Sequence, residues 1–155
     1  MWRRISRERT NCWFAGSTAV PARARASKHF RHCGEQWNAG GPLRAFGIRA
    51  GSGEVLAGTV DLRFAGEGLA PGQVNVAYGL YPSWRGRGLA THAVLPASRY
   101  AAAEGGREAV IQVDPENPAS AAVARRAGFT PGGQPPGHDG TRLDRYIRDL
   151  RDAPP

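Results

Sequence analysis

Arg85-Gly86-Arg87-Gly88-Leu89-Ala90 separates an alternating apolar run from an Ala-rich helical one. Upstream, Val74, Val76, Tyr78 and Leu80 alternate with Asn75, Ala77, Gly79 and Tyr81, so Gln73–Tyr81 is predicted to be a strand with one apolar and one mixed face. Gly79 inside that run signals a bulge or a close backbone approach. Downstream, Leu89 to about Glu104 is predicted to be a helix, with Leu89, Ala93, Ala97 and Tyr100 on one face and Gly105-Gly106 as its stop. Pro96 is awkward there, since an interior proline costs about 3 kcal/mol or a kink. A Gly-rich turn from a strand into a helix is an anion cradle. The glycines let the backbone approach, and the helix start presents unpaired N–H groups and the positive end of its dipole. A diphosphate suits such a cradle, and Arg85 and Arg87 can add charge-assisted hydrogen bonds to its oxygens. An ordinary strand-to-helix turn is the other reading of so short a motif.

Working outward, Leu43–Ala50 and Val55–Phe64 read as a hairpin joined by Gly51-Ser52-Gly53, and the loop Ala65–Gly72 leads into the third strand. Ala22–Trp37 is predicted to be helical, ended by the breaker cluster Asn38-Ala39-Gly40-Gly41-Pro42. After the cradle helix, Ala109–Val113 reads as a short buried strand. The next helix has strong end signals. Asn117 caps it, Pro118 suits its first turn, Arg125 and Arg126 suit its last, and Gly128 ends it. Ala119, Ala122, Val123 and Ala127 form its expected apolar stripe. Gly132–Gly140 reads as a loop and Thr141–Leu150 as a final strand. Strands followed by strand–helix–strand–helix–strand predict a mixed α/β sheet.

Composition narrows the function classes. The 155 residues suit one domain, and 41% hydrophobic content argues against wholesale disorder. Lys28 is the single lysine among 21 basic residues, which removes the P-loop nucleotide motif and leaves one candidate for Schiff-base chemistry. The net charge of +8 allows nucleic acid, an acidic membrane surface or an anionic small molecule as partner. The arginines are spread along the chain, with only Arg3, Arg4, Arg7 and Arg9 crowded together, which argues against nucleic acid. Cys12 and Cys33 make no disulfide framework. With His29 and His32 they lack the paired spacing of a zinc site, so no metal is expected. No apolar run reaches the roughly 18 residues of a membrane helix, and a cytoplasmic protein is expected. A dinucleotide fold would want a third Gly or Ala where Thr91 stands, although Gly86, Gly88 and Asp114 fit the rest of its pattern.

A second segment lies one strand downstream of the cradle: Asn117-Pro118-Ala119-Ser120, followed by Gly128-Phe129. Together with Tyr78-Gly79-Leu80-Tyr81-Pro82 and Arg85–Ala90 it resembles the GCN5-related N-acetyltransferase superfamily. Arg85, Gly88 and Ala90 match the fixed places of that family's acyl-CoA signature, Q/R-x-x-G-x-G/A. Asn117, Ser120 and Gly128-Phe129 resemble the ribosomal-protein alanine acetyltransferase-like (RimJ/RimL-like) branch. The resemblance covers about Leu43 to Leu150. It implies a mixed, mostly antiparallel sheet whose two central parallel strands splay into a V, with flanking helices. Residues 22–155 would form a single N-acetyltransferase domain. Met1–Pro21 departs from the family's strand–helix start: either the segment has diverged or the chain begins late.

The resemblance further implies acetyl-CoA as co-substrate, held in the V. Leu80 and Tyr81 would bond its pantetheine, the amides of Arg85, Gly86, Arg87, Gly88, Leu89 and Ala90 its pyrophosphate, and Asn117 the pantetheine arm. The acceptor would be a primary amine, on a protein N-terminus or a small molecule. Elementary chemistry asks for an oxyanion donor, expected from a backbone N–H near Gly79, and for a proton donor to the departing thiolate. Many relatives place a tyrosine where this chain has Ala124; in the ribosomal-protein branch the serine matching Ser120 takes that role. A first-turn hydroxyl bonding backbone is the competing reading of Ser120. Asp61, Asn75, Tyr78, His92, His138 and Asp139 are the candidates for a base, beside a water relay. A catalytically degenerate acyl-CoA-binding module of the same fold is the alternative to an enzyme.

Overall fold

The computed structural model describes residues 31–51, 55–133 and 142–151. Met1–Pro21, residues 22–30 of the first expected helix, Lys28, Cys12, His29, and His138 with Asp139 in the Gly/Pro loop lie outside them. Residues 31–38 are helical (α1). The strands are β1 (Leu43–Ala50), β2 (Val55–Arg63), β3 (Gln73–Leu80), β4 (Glu108–Val113), β5 (Thr130–Pro131) and β6 (Asp144–Asp149). A 3-10 turn at Pro82–Trp84 precedes α2 (Leu89–Ala103), and α3 (Pro118–Arg126) follows β4. They form one mixed sheet in the order β1-β2-β3-β4-β6-β5, antiparallel throughout except for the β3–β4 pair.

The expected strands are present, with ends moved by up to three residues, and β5 is additional. It follows α3 within four residues and has no period of its own. The alternation along β3 has its expected consequence. Val74 and Val76 are buried in the main core with Phe46, Val60, Leu62, Ala109, Ile111 and Val113, against Val94, Ala97 and Ala101 of α2. A smaller cluster, Cys33, Leu43 and Ala45, joins α1 to β1. Phe46 stacks edge-on against Trp37 of α1 and Tyr100 of α2, with centroids 5.4 and 5.1 Å apart.

Two helix faces are rotated from their expected stripes. In α2 the buried residues are Ala90, Ala93, Val94, Ala97, Ser98 and Ala101, while Leu89 and Tyr100 are half-buried. In α3 they are Ala121 and Ala124, and Ala119 is exposed. Alanine-rich helices carry apolar residues on nearly every face, so periodicity alone leaves their rotation undetermined. Ser98 is tolerated in the core because its hydroxyl donates to Val94 O at 2.8 Å. Both helices end as expected of a left-handed glycine. Gly105 and Gly128 have φ of +90° and +82°, and the following N–H groups of Gly106 and Phe129 reach Ala101 O and Ala124 O.

Gly79 marks a close approach and not a bulge. The β2–β3 register runs unbroken through Thr59↔Gly79 and Gly58↔Leu80, whereas the shift in this part of the sheet falls between Ile48 and Arg49 of β1. A Cβ on Gly58 would stand 2.0 Å from the Gly79 carbonyl oxygen.

Candidate active site

The site begins where the sheet forks. Parallel pairing joins only Gln73↔Glu108, Val74↔Ala109 and Asn75↔Val110. Beyond Asn75, β3 stays with β2 as far as Leu80↔Gly58, and β4 stays with β6 through Val113↔Asp144. Val76–Leu80 and Ile111–Val113 thus have no partner in each other: the two central strands form a V.

Main-chain groups alternate sides along a strand, and the hydrogen bonds at the two ends of β3 set the phase. Tyr81 N–H donates to Ala57 O on the β2 side (2.9 Å), and the N–H groups of Arg107 and Glu108 donate to Gly72 O on the β4 side (2.8 and 3.2 Å). The even-numbered residues Val76, Tyr78 and Leu80 therefore turn their N–H and C=O into the V. Leu80 O accepts from Arg85 Nε at 3.1 Å. The backbone of Tyr81 is committed elsewhere, because its carbonyl also accepts from Trp84 N–H (2.9 Å). Tyr78 and Val76 are open-edge residues that the motif reading did not assign to the pantetheine. The signal was available in the alternation, once its phase is known.

At the mouth of the V lies the cradle. Gly86 and Gly88 have φ of +72° and +75°, the left-handed conformation that glycine adopts without a Cβ penalty. Gly88 is the N-cap of α2 and brings no side-chain cap, and the first turn holds no acidic residue. His92 N–H makes the first helical bond, to Gly88 O at 3.1 Å. The N–H groups of Leu89, Ala90 and Thr91 precede it at the helix start, with the positive end of the dipole. The Arg87 guanidinium stacks 5.0 Å over the Trp84 ring. Arg85, Gly86, Arg87 and Gly88 are all exposed. No Cβ intrudes at either glycine and no side chain closes the helix end, so this turn fits a diphosphate.

α3 brings the other half of the site. Asn117 Oδ1 accepts from Ser120 N–H at 3.0 Å, so Asn117 is the N-cap expected from the sequence. The Ser120 hydroxyl points elsewhere. Its Oγ lies 2.9 Å from the Tyr78 hydroxyl, which also donates to Ser120 O at 2.9 Å. This contact ties β3 to the helix that follows β4, so it spans the fork. Burial pushes the Tyr78 phenol above its ordinary value, against a smaller opposing effect of the Ser120 hydrogen bond. Ala124, one turn beyond Ser120, is fully buried in the core.

The remaining candidates divide by face. Asp61 and Thr59 are buried on the face of β2 that also carries Asn75 on β3, opposite the face that packs on α2. Asn75 Oδ1 is buried with no hydrogen-bond partner. His92 is exposed beside Gly88, on the cradle and away from that face. Among the described residues no group of three or more His, Cys, Asp or Glu is placed to hold a metal, and no helix is long and apolar enough to cross a membrane.

A sheet forked between parallel strands with a glycine cradle at its mouth is one half of an assignment; a family model supplies the other. The model of the acetyltransferase (GNAT) domain matches residues 3–130. The chain belongs to the GNAT acetyltransferase family. Several GNAT structures share its fold. RimJ of Mycobacterium smegmatis, solved with a CoA disulfide, superposes with a TM-score of 0.74 at 21% identity, over 90% of this chain and 70% of that one. RimL, a ribosomal L7/L12 α-N-protein acetyltransferase solved with coenzyme A, gives 0.68 at 22% identity over 84% and 73%. The spermidine N-acetyltransferase of Vibrio cholerae, solved with CoA and spermine, gives 0.62 at 17% identity over 80% and 77%. No curated protein sequence matches this GNAT domain.

Proposed function

We propose that this chain transfers the acetyl group of acetyl-CoA to a primary amine, on a protein N-terminus or a small molecule, in the manner of the ribosomal-protein branch. The observation that carries the reading is the fork: a strand edge open at Val76, Tyr78 and Leu80 ends in a glycine cradle that no side chain caps. An amide-bearing arm can add to such an edge as a further strand would, and a diphosphate can take the helix-start N–H groups. Leu80, Tyr78 and Val76 would bond the pantetheine, and Arg85, Gly86, Arg87, Gly88, Leu89 and Ala90 would surround the pyrophosphate. Asn117 would meet the arm from α3. The composition fits a cytoplasmic enzyme.

When bound, acetyl-CoA supplies an activated acetyl thioester, and the chain's task is to place it and handle charge. A backbone N–H of Tyr78 or Leu80 would donate to the oxygen on which negative charge develops. Asp61 and Asn75 stand on the opposite face of the sheet, where an amine would be held and would lose its proton. Ser120 would hydrogen-bond the departing sulfur. Proximity of the two substrates supplies much of the acceleration.

Isothermal titration with acetyl-CoA tests the binding half, and absence of binding at millimolar ligand would refute it. An assay of acetyl-CoA consumption across a panel of protein N-terminal peptides, polyamines and amino acids tests the transfer. Binding without turnover on every acceptor would leave a degenerate acyl-CoA module.

A further inference from the structure

We propose that the Tyr78 hydroxyl is a positioning group which turns the Ser120 O–H toward the CoA sulfur, so that the leaving thiolate meets a donor already aimed. The inference rests on the reading that CoA lies in the fork. Its basis is the three-atom contact between β3 and α3. Tyr78 carries one hydroxyl proton, and two acceptors on Ser120, the carbonyl oxygen and Oγ, each lie 2.9 Å from it. One proton arrangement satisfies both contacts, and a second gives up the bond to the carbonyl. When the phenol donates to the carbonyl, the short contact to Oγ requires Ser120 to donate back to the phenol oxygen. When the phenol donates to Oγ, the Ser120 proton is released for another acceptor.

Nothing else at this residue needs that hydroxyl. The Ser120 N–H is held by Asn117 Oδ1 at 3.0 Å, so the start of α3 is capped without it. The main-chain position is thereby fixed, and rotation about the Ser120 side chain is the freedom that remains. Burial raises the Tyr78 phenol above its ordinary value, so it keeps its proton across the neutral range and serves as a donor. A hydroxyl that accepts one hydrogen bond also donates a stronger one. As charge develops on sulfur, the second arrangement becomes the better of the two, and the chain Tyr78 to Ser120 to sulfur forms. No proton needs to leave Ser120 for this to stabilise the thiolate.

Coenzyme A itself reads the effect without an acceptor amine. The thiol of bound CoA is titrated by the ultraviolet absorbance of its thiolate, with the desulfo-CoA complex as blank. Donors aimed at sulfur make the bound thiol more acidic than that of free CoA. Tyr78→Phe keeps the ring and should lower the acid dissociation constant about tenfold, the usual scale for a hydrogen bond to a charged group. Ser120→Ala should lower it at least as much, and the double variant should match Ser120→Ala alone, because Tyr78 acts through Ser120. An unmoved thiol in Tyr78→Phe, or a full further loss on adding Tyr78→Phe to Ser120→Ala, would overturn the proposal while leaving CoA in the fork. Failure of the wild type to bind CoA would overturn both. Should Tyr78→Phe not fold, Ser120→Ala alone decides, since a thiol as acidic as in the wild type would leave Tyr78 nothing to act through.

Discussion

Replacing Gly88 by alanine separates the backbone's need for a glycine from the ligand's. Gly88 has φ +75° and ψ −2°, and the nearest atoms to an added Cβ, His92 Cε1 and Nδ1, stand at 3.7 Å, an ordinary contact. The free protein therefore meets no clash, and the cost is that of holding an L-residue in the left-handed region, about 1–2 kcal/mol. In a domain of this size that corresponds to a fall in Tm of roughly 2–8 °C. Gly86 is the internal control. Its φ is +72° and nothing lies within 4 Å of its Cβ position, so Gly86→Ala carries the same backbone cost. The two variants should lose similar stability, and their CoA affinities should part. Gly88 is the N-cap, adjoining the N–H groups of Leu89 and Ala90, so a methyl group there intrudes on a diphosphate seated at the helix end. Gly88→Ala should weaken CoA at least tenfold, about 1.4 kcal/mol, and Gly88→Val more. Calorimetry gives the affinities, and thermal unfolding with and without saturating CoA gives both quantities from one sample. A folded Gly88→Ala protein with wild-type CoA affinity would place the diphosphate elsewhere.

Three further perturbations address other parts of the site. Arg85→Ala and Arg87→Ala should each weaken CoA less than Gly88→Ala, by a margin that shrinks from low to high salt, because both are exposed and their contacts with phosphate are screened; titrations at two ionic strengths check this. Gly58→Ala should cost about 1–3 kcal/mol in chemical denaturation, since its Cβ would stand 2.0 Å from Gly79 O and 2.9 Å from Leu80 Cα, backbone atoms that cannot swing away. Ser120→Ala should lower kcat by roughly 10²-fold with CoA affinity nearly intact. Its Tm should fall only slightly, because the cap of α3 belongs to Asn117 and the Tyr78 hydroxyl keeps its bond to Ser120 O; a loss of stability with full turnover would take Ser120 out of the chemistry.

Local chemistry made much of this fold readable, and long-range geometry hid the rest. Asn117-Pro118 and Gly128 mark α3 because capping and a left-handed stop depend on single residues. The alternation in Val74–Leu80 likewise gives β3 and its buried face. β5 has two residues and no pattern, so only its pairing with β6 defines it. The rotation of α2 and α3 escaped periodicity because alanine occupies buried and exposed positions alike. The fork itself leaves no local trace, since Val76–Leu80 would alternate in the same way with or without a neighbour; the expectation of a V came from the family resemblance. The motif also named Leu80 and Tyr81 together, although adjacent residues of a strand address opposite sides. Most hidden was the Tyr78–Ser120 contact, between residues 42 positions apart.

The fork also has a cost that points to its use. Buried N–H and C=O groups are nearly always paired, and two parallel strands with five and three residues left beyond their last shared pair, Val76–Leu80 and Ile111–Val113, forgo ladder bonds that closure would supply. What opposes closure is visible on both sides. β3 is held to β2 as far as Leu80 and continues into the Tyr81–Ala57 bond, while β4 is held to β6 to its end. The Tyr78–Ser120 contact then joins the two arms at a fixed separation from the helix-packed face. Such a device keeps main-chain donors and acceptors presented on an open edge, ready for a ligand that brings its own amides. On the proposed reading, a linear acyl carrier with amides along an arm and a diphosphate at one end would match that edge and the cradle in order. The tie that joins the two arms runs through the Ser120 hydroxyl, so on the proposed reading the element that shapes the binding site would also serve its chemistry.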